Sequence, residues 1–274
     1  MRPMRYAICN ETFEGWEHAR VCDYVASLGY TGLEIAPFTL AERITDVNAS
    51  QRRELRSTAE RAGLKIIGLH WLLAKTTGLM LTASDESVRR ATAEYIVELA
   101  RAAADLGGDI LVFGSPAQRR IPAGATHAQA MDWAVDTFRR AAPGIEATGV
   151  KLCVEPLAPP EADFLTSAAE ALTLMERVAS PAFRLHLDVK AMAAEKDDVP
   201  TLIHRHKAEL YHFHANDPNK RGPGFGAVDF VPIFAALKAI DYTGWVSVEV
   251  FDYTPDPETI ATQSLAYMRK CAGE

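Results

Sequence analysis

The stretch Leu210-Tyr-His-Phe-His-Ala-Asn-Asp-Pro-Asn-Lys-Arg-Gly-Pro-Gly-Phe-Gly-Ala-Val-Asp-Phe230 joins an apolar run to a polar, glycine-rich loop. The apolar run reads as a strand that delivers His214 to its carboxyl end. Three neighbouring apolar runs also stop on an acid: Val-Lys-Leu-Cys-Val-Glu155, Arg-Leu-His-Leu-Asp188 and Val-Ser-Val-Glu249. The separations along this set are 33, 26 and 35 residues, each about one strand–helix unit.

The same rhythm extends to the N-terminus. Strands are expected at 5–9, 32–36, 64–69, 109–113, 150–155, 183–187, 210–214 and 245–250. Helical patterns follow at 14–28, 48–62, 84–106, 126–148, 166–178, 199–206, 229–240 and 257–272. Gly29, Gly63 and Gly149 stand where helices should close. Ser84, with Glu86 and Ser87 nearby, offers an N-cap, as does Thr166 or Ser167. Pro143 should kink or break the fourth helix, because it lacks an N–H and crowds the preceding turn. Strands separated by helices pair in parallel. Eight such units in 274 residues favour one α/β domain over 1–274, a closed (β/α)₈ barrel. An open dinucleotide-binding sheet loses its main support, because Cys-Asn-Glu-Thr follows the first strand instead of a glycine fingerprint.

Bulk composition narrows the partners. A net charge of −7 argues against a nucleic-acid partner, which needs a basic face. No apolar run is long enough to span a membrane, and the N-terminal apolar run is too short for a signal peptide. Cys9, Cys22, Cys153 and Cys271 are scattered without a CxxC pair, as suits a reduced, cytoplasmic protein.

In such a barrel, chemistry sits where strands enter the following loops. Glu155, Asp188, His214 and Glu249 would therefore meet at one rim. A single acid at a strand end is commonly a helix cap or an ion-pair partner. Four in register are harder to explain so, because Glu caps poorly. Without a cation, three converging carboxylates would also repel one another. Three carboxylates and one imidazole suit one divalent ion, Mn²⁺ first, with Mg²⁺, Co²⁺ or Zn²⁺ also possible.

With these motifs the chain resembles the xylose isomerase-like TIM barrels, the sugar phosphate isomerase/epimerase superfamily that includes the ketose 3-epimerases. The resemblance covers nearly the whole chain. It rests on Leu-Glu-Ile at 33–35, Val-Glu-Pro at 154–156, Leu-Asp at 187–188, His-Phe-His-Ala-Asn-Asp at 212–217, Gly-Pro-Gly-Phe-Gly at 222–226 and Val-Glu-Val at 248–250. It implies that Glu155, Asp188, His214 and Glu249 bind the metal, and that Glu155 and Glu249 also serve as acid and base. It further implies a keto-sugar substrate passing through a cis-enediolate, and Arg221 as a substrate contact. The epimerases carry a His three residues after the metal Asp; here Ala191 stands there. That departure keeps a cyclitol ketone or a modified glycoside open beside a free ketose.

Other mouth residues are expected to help. Glu34 ends strand two as an acceptor for a substrate hydroxyl, and His70 follows strand three. Trp71 and Phe113 are candidates to stack on a sugar face. His186 and His212 share the inward face with the ligands and read as groups supporting them. His204 and His206 read as solvated. The small-molecule reading, a sugar or cyclitol ketone, has a runner-up: the same site expelling a β-substituent from an inosose or 3-keto-glycoside, as a dehydratase or lyase. An abasic-site endonuclease shares the barrel but would need more His ligands than these strand ends supply. Barrels of this kind often form homo-oligomers.

Overall fold

In the computed structural model, which describes residues 3–274, eight parallel strands close into a barrel in sequential order. Met1 and Arg2, at the start of the expected 1–274 domain, lie outside the described residues. The strands are β1 Arg5–Cys9, β2 Gly32–Ile35, β3 Lys65–Leu69, β4 Ile110–Phe113, β5 Lys151–Val154, β6 Phe183–Asp188, β7 Leu210–Ala215 and β8 Trp245–Val248. Closure is made by β8 on β1, with Arg5 opposite Trp245 and Ile8 opposite Val248. The helices are α1 His18–Leu28, α2 Ala49–Arg61, α3 Glu86–Asp105, α4 His127–Glu146, α5 Ala168–Val178, α6 Val189–Met192, α7 Val199–Arg205, α8 Phe230–Ala239 and α9 Pro257–Ala272.

The short apolar strands are buried because both of their faces are covered. Outward side chains such as Ile8, Leu33, Leu111 and Phe213 join the large core beneath the helices. Each such side chain contributes roughly 1.5–3 kcal/mol by leaving water. Inward side chains build a separate small core of Ala7, Ile67, Ile110, Val112, Cys153 and Trp245. This apolar plug fills the barrel below the polar rim. Phe113 packs outward on Phe138, with ring centroids 5.1 Å apart, and so is unavailable to stack on a ligand.

Several boundaries differ from the sequence expectation for local reasons. Residues 10–13 form a 3-10 turn, so α1 starts only at His18. Asp85 rather than Ser84 caps α3, accepting from the Ser87 N–H. Asp is the stronger cap because its charge also opposes the helix dipole. Pro143 does not break α4, which runs on to Glu146. Only one intrahelical bond is forfeited there, and the Pro143 carbonyl still accepts from Ala147 N at 3.1 Å. The turn α6 was not legible at all. It forms because Asp188, the last residue of β6, accepts from Ala191 N at 2.8 Å. His206 is buried behind α7, while His204 is exposed. Among the described residues, no helix is long and apolar enough to cross a membrane.

Gly68 marks how tightly β3 and β4 approach. A Cβ there would lie 2.1 Å from the Ile110 carbonyl oxygen, a backbone atom that cannot swing away. Gly68→Ala should therefore cost about 1–3 kcal/mol through overpacking. A lower urea midpoint with an unchanged slope would register it, and a wild-type midpoint would show that the strands can part freely.

Candidate metal centre

Strands β5 to β8 run side by side, so their carboxyl ends share one half of the rim. Glu155 follows β5, Asp188 ends β6, His214 lies in β7, and Glu249 follows β8. All four are buried. One donor atom from each of Glu155, Asp188, His214 and His186 falls within 4.8 Å of the others. Glu249 joins through His214, whose Nδ1 faces Glu249 Oε2 at 3.1 Å. On its other side, Glu249 lies within 4.8 Å of Glu11 and His70. Three of the four expected residues thus cluster with His186, and Glu249 touches that cluster through His214.

The electrostatics are those of a site built for a cation. Burial raises the Glu155 carboxyl well above its usual range, and the charges of Glu249 and Asp188 raise it further. Asp188 rises to about 6, first by burial and then by Glu249. Burial would also raise Glu249, but the His214 charge and contact hold it below the usual carboxylate range. His214 is raised in spite of burial, because Glu249 and Glu34 flank it. Burial pushes His186 down, followed by the charges of His214 and His212.

Two tests show that these residues fit a divalent ion. Glu155 is almost fully buried, and the charges that raise it are the carboxylates of Glu249 and Asp188, so a cation is the missing counterpart. Donors about 2.1 Å from one octahedral ion and at right angles to each other lie about 3 Å apart. The donor atoms of Glu155, His186, Asp188 and His214, all within 4.8 Å of one another, are gathered on that scale.

Other residues hold the set in place. Asp188 Oδ1 accepts from Ala191 N, and Oδ2 accepts from Asn216 Nδ2 at 2.5 Å. Each oxygen keeps a second lone pair for another partner. Arg119, fully buried, donates to the backbone carbonyls of Glu155 at 2.6 Å and Phe113 at 2.5 Å. Gly114 is required by space: a Cβ there would sit 1.6 Å from Glu155 Oε2. The sequence pattern pointed to neither residue, because each acts across two strands. A glycine just past a barrel strand, opposite a candidate ligand on the next strand, was the signal available.

The remaining candidates are placed differently from expectation. Glu34 does not accept from the mouth. Its Oε2 lies 3.0 Å from His212 Nε2 and 3.2 Å from His214 Nε2, beneath the rim. The inward period of β2 drives it onto the imidazoles of β7, where it orients the His214 ring. His70 is buried, with Nε2 2.9 Å from Glu11 Oε2, a close ion pair too bent to count as a hydrogen bond. Trp71 adopts a left-handed φ of 53°, unusual for a bulky residue, and its Nε1 donates to Glu249 Oε1 at 2.8 Å. Arg221 is turned toward the loop after β8, donating from Nε to Asp252 at 2.9 Å and from Nη2 to Thr254 at 2.8 Å. Lys190, in α6, donates from Nζ to Glu161 and lies over the Phe251 ring.

A cavity of about 900 Å³ opens beside this cluster, between the loops after β1, β2 and β3. None of the four expected ligands lines it, yet Glu11 and Trp71 do.

The comparisons agree with this architecture. The model of the Xylose isomerase-like TIM barrel family matches residues 22–271. A D-psicose 3-epimerase of Ruminiclostridium cellulolyticum is 28% identical, with 86% of this chain and 81% of that protein covered. A D-psicose 3-epimerase of Agrobacterium fabrum is 29% identical, covering 86% and 82%. A crystal structure of D-psicose 3-epimerase in the presence of D-fructose superposes with a TM-score of 0.86 at 22% identity, covering 99% of this chain and 100% of that one.

Gly114→Ala should displace Glu155 and weaken Mn²⁺ binding by about 10–100-fold in calorimetry while the barrel stays folded. Wild-type affinity in that variant would separate Glu155 from the metal. The cation should also raise Tm more at about pH 7.5 than at about pH 5. The folded pKa of Asp188 lies above its ordinary value, so below about 6 the ion must displace a proton to bind. Equal shifts at both pH values would contradict this.

Proposed function

The chain belongs to the xylose isomerase-like TIM barrel family, and we propose that it is a divalent-metal-dependent isomerase or epimerase of a keto-sugar. The observation that carries this reading is the pairing of Glu155 and Glu249. They are carboxylates at the ends of β5 and β8, three strands apart, on either side of Asp188 and His214. The D-psicose 3-epimerase relatives support the substrate class.

A divalent cation held by Glu155, Asp188, His214 and Glu249 supplies the fixed positive charge that a developing oxyanion needs. Mn²⁺ is the expected ion, because the donors are mainly carboxylate oxygens. The residues perform the proton transfers. A ketose lying between the two glutamates presents its α-carbon to both. One carboxylate removes the α-proton, the C–H electron pair forms the C=C bond, and the C=O π pair moves onto the oxygen, giving a cis-enediolate. The other carboxyl group returns a proton to the opposite face, which inverts the carbon. Trp71 Nε1 and His214 Nδ1 each meet one oxygen of Glu249 and fix its direction. Burial of the whole set keeps bulk water from the reacting carbon, while the carboxyl groups re-equilibrate with solvent between turnovers.

A second reading keeps the same first step. If the carbon next to the carbanion carries a leaving group, the enediolate expels it, and the protein is a dehydratase or lyase on an inosose or 3-keto-glycoside. Ala191 favours keeping this reading, since a small buried side chain stands where the ketose epimerases carry His.

Wash-in of deuterium at the α-carbon in D₂O, with Mn²⁺ and a panel of ketoses, inososes and 3-keto-glycosides, tests both readings. Glu249→Gln should slow exchange by about 10²–10⁴-fold, because a neutral amide cannot take the proton. Undiminished exchange in that variant would remove Glu249 from the chemistry.

A further inference from the structure

The cavity beside the rim is much larger than the proposed reaction at a free ketose needs. At about 900 Å³ it is near the upper end of small-ligand pockets, which run roughly 300–1,000 Å³. It begins at the catalytic rim. Glu11 lines it and lies within 4.8 Å of His70 and Glu249. Trp71 lines it too, and the same indole donates to Glu249. From there the cavity runs outward between the loops after β1 and β2, to Ala41 and Asp46.

Its chemistry is specific. Phe13, Trp16, Phe38, Trp71 and Tyr253 supply aromatic faces. Glu11, Glu14, Glu17, Asp46 and Glu54 supply carboxylate acceptors. Two basic side chains, Lys75 and His18, also line the cavity. Lys75 Nζ lies over the Phe38 ring at 4.2 Å, and His18 Nε2 meets the Leu55 carbonyl at 3.0 Å. Glu11 is the telling group. It is only 5% exposed; its Oε2 pairs with His70 Nε2 at 2.9 Å, while Oε1 has no partner at all. A buried carboxylate oxygen without a donor is costly unless one arrives. Five carboxylates against one lysine repel phosphate and carboxylate, and they welcome neutral hydroxyls. Aromatic faces take the C–H side of a sugar ring.

We propose that this cavity is a subsite for a second, neutral sugar unit, so that the substrate is a keto-sugar carrying a glycosyl substituent rather than a free ketose. The inference rests on the keto-sugar reading of the rim and names its substrate class. The reacting ring lies at Glu155 and Glu249. The attached ring extends past Trp71, with a hydroxyl donating to Glu11. Binding energy from the remote ring then holds the α-carbon in place, which a free ketose cannot match.

The test compares a 3-keto-glucoside bearing only a methyl group with the same keto ring bearing a second glucosyl unit, with Mn²⁺ present. Deuterium exchange on the disaccharide should have a kcat/KM about tenfold or more higher. Ala41→Trp, which fills the outer cavity at a half-exposed position, should abolish that advantage while leaving exchange on the methyl glycoside within about twofold. Asp46→Trp serves as a second filling variant if melting shows that the first does not fold. Equal kcat/KM for the two substrates, or equal loss on both in the variant, overturns the subsite. If neither substrate exchanges, the rim reading fails, and the subsite is judged separately by calorimetry with unoxidised cellobiose. Binding that the filling variant removes supports it; no binding to wild type overturns it.

Discussion

Carboxylates repel, and this barrel places three of them at one buried rim. Glu155 is driven upward in pKa by burial, Glu249 and Asp188, and Asp188 by burial and Glu249. Such a set is unfavourable unless a positive charge sits among them. The fold nevertheless constrains all three closely. Arg119 clamps the backbone of Glu155, Ala191 N and Asn216 grip Asp188, and Trp71 and His214 grip Glu249. Holding like charges together by so many contacts makes physical sense when a cation belongs at their centre.

The barrel interior is layered to support that rim. An apolar plug closes the lower part. Above it, Cys9, Glu34, His186, His212 and Ser247 form a buried polar tier. Glu34 links this tier to the top by facing both His212 and His214. It keeps the His214 ring oriented and its Nε2 occupied, which leaves Nδ1 toward Glu249 and the rim. The outer hydrophobic core makes the scaffold rigid enough to hold these charged groups. Stability therefore comes from the layer under the helices, and chemistry from the top of the barrel.

Much of this was legible in the chain. The eight strands could be read because apolar runs alternate with capped helical patterns, and closure followed from their number and length. The quartet could be read because each ligand stands at a strand's carboxyl end, one unit from the next. What escaped depends on how neighbouring strands line up. Glu34 ends its strand and so reads as an acceptor at the mouth, but the register with β3 and the reach of β7 imidazoles place it below the rim. Gly114 and Arg119 act only through Glu155 on the adjacent strand. The turn α6 arises from a capping bond made by a residue already read as a ligand. Arg221 points to Asp252, a partner 31 residues away that no local pattern announces.

The central claim is that one cation is held jointly by the ends of β5 to β8. Crystals grown with Mn²⁺ and measured at the manganese absorption edge test it most directly. The account predicts a single anomalous peak bounded by Glu155, Asp188, His214 and Glu249, with His186 outside the coordination sphere. A peak held by His186 in place of Glu249, a peak at Cys9, Glu34 and His70 instead, or no peak at saturating Mn²⁺ would contradict it.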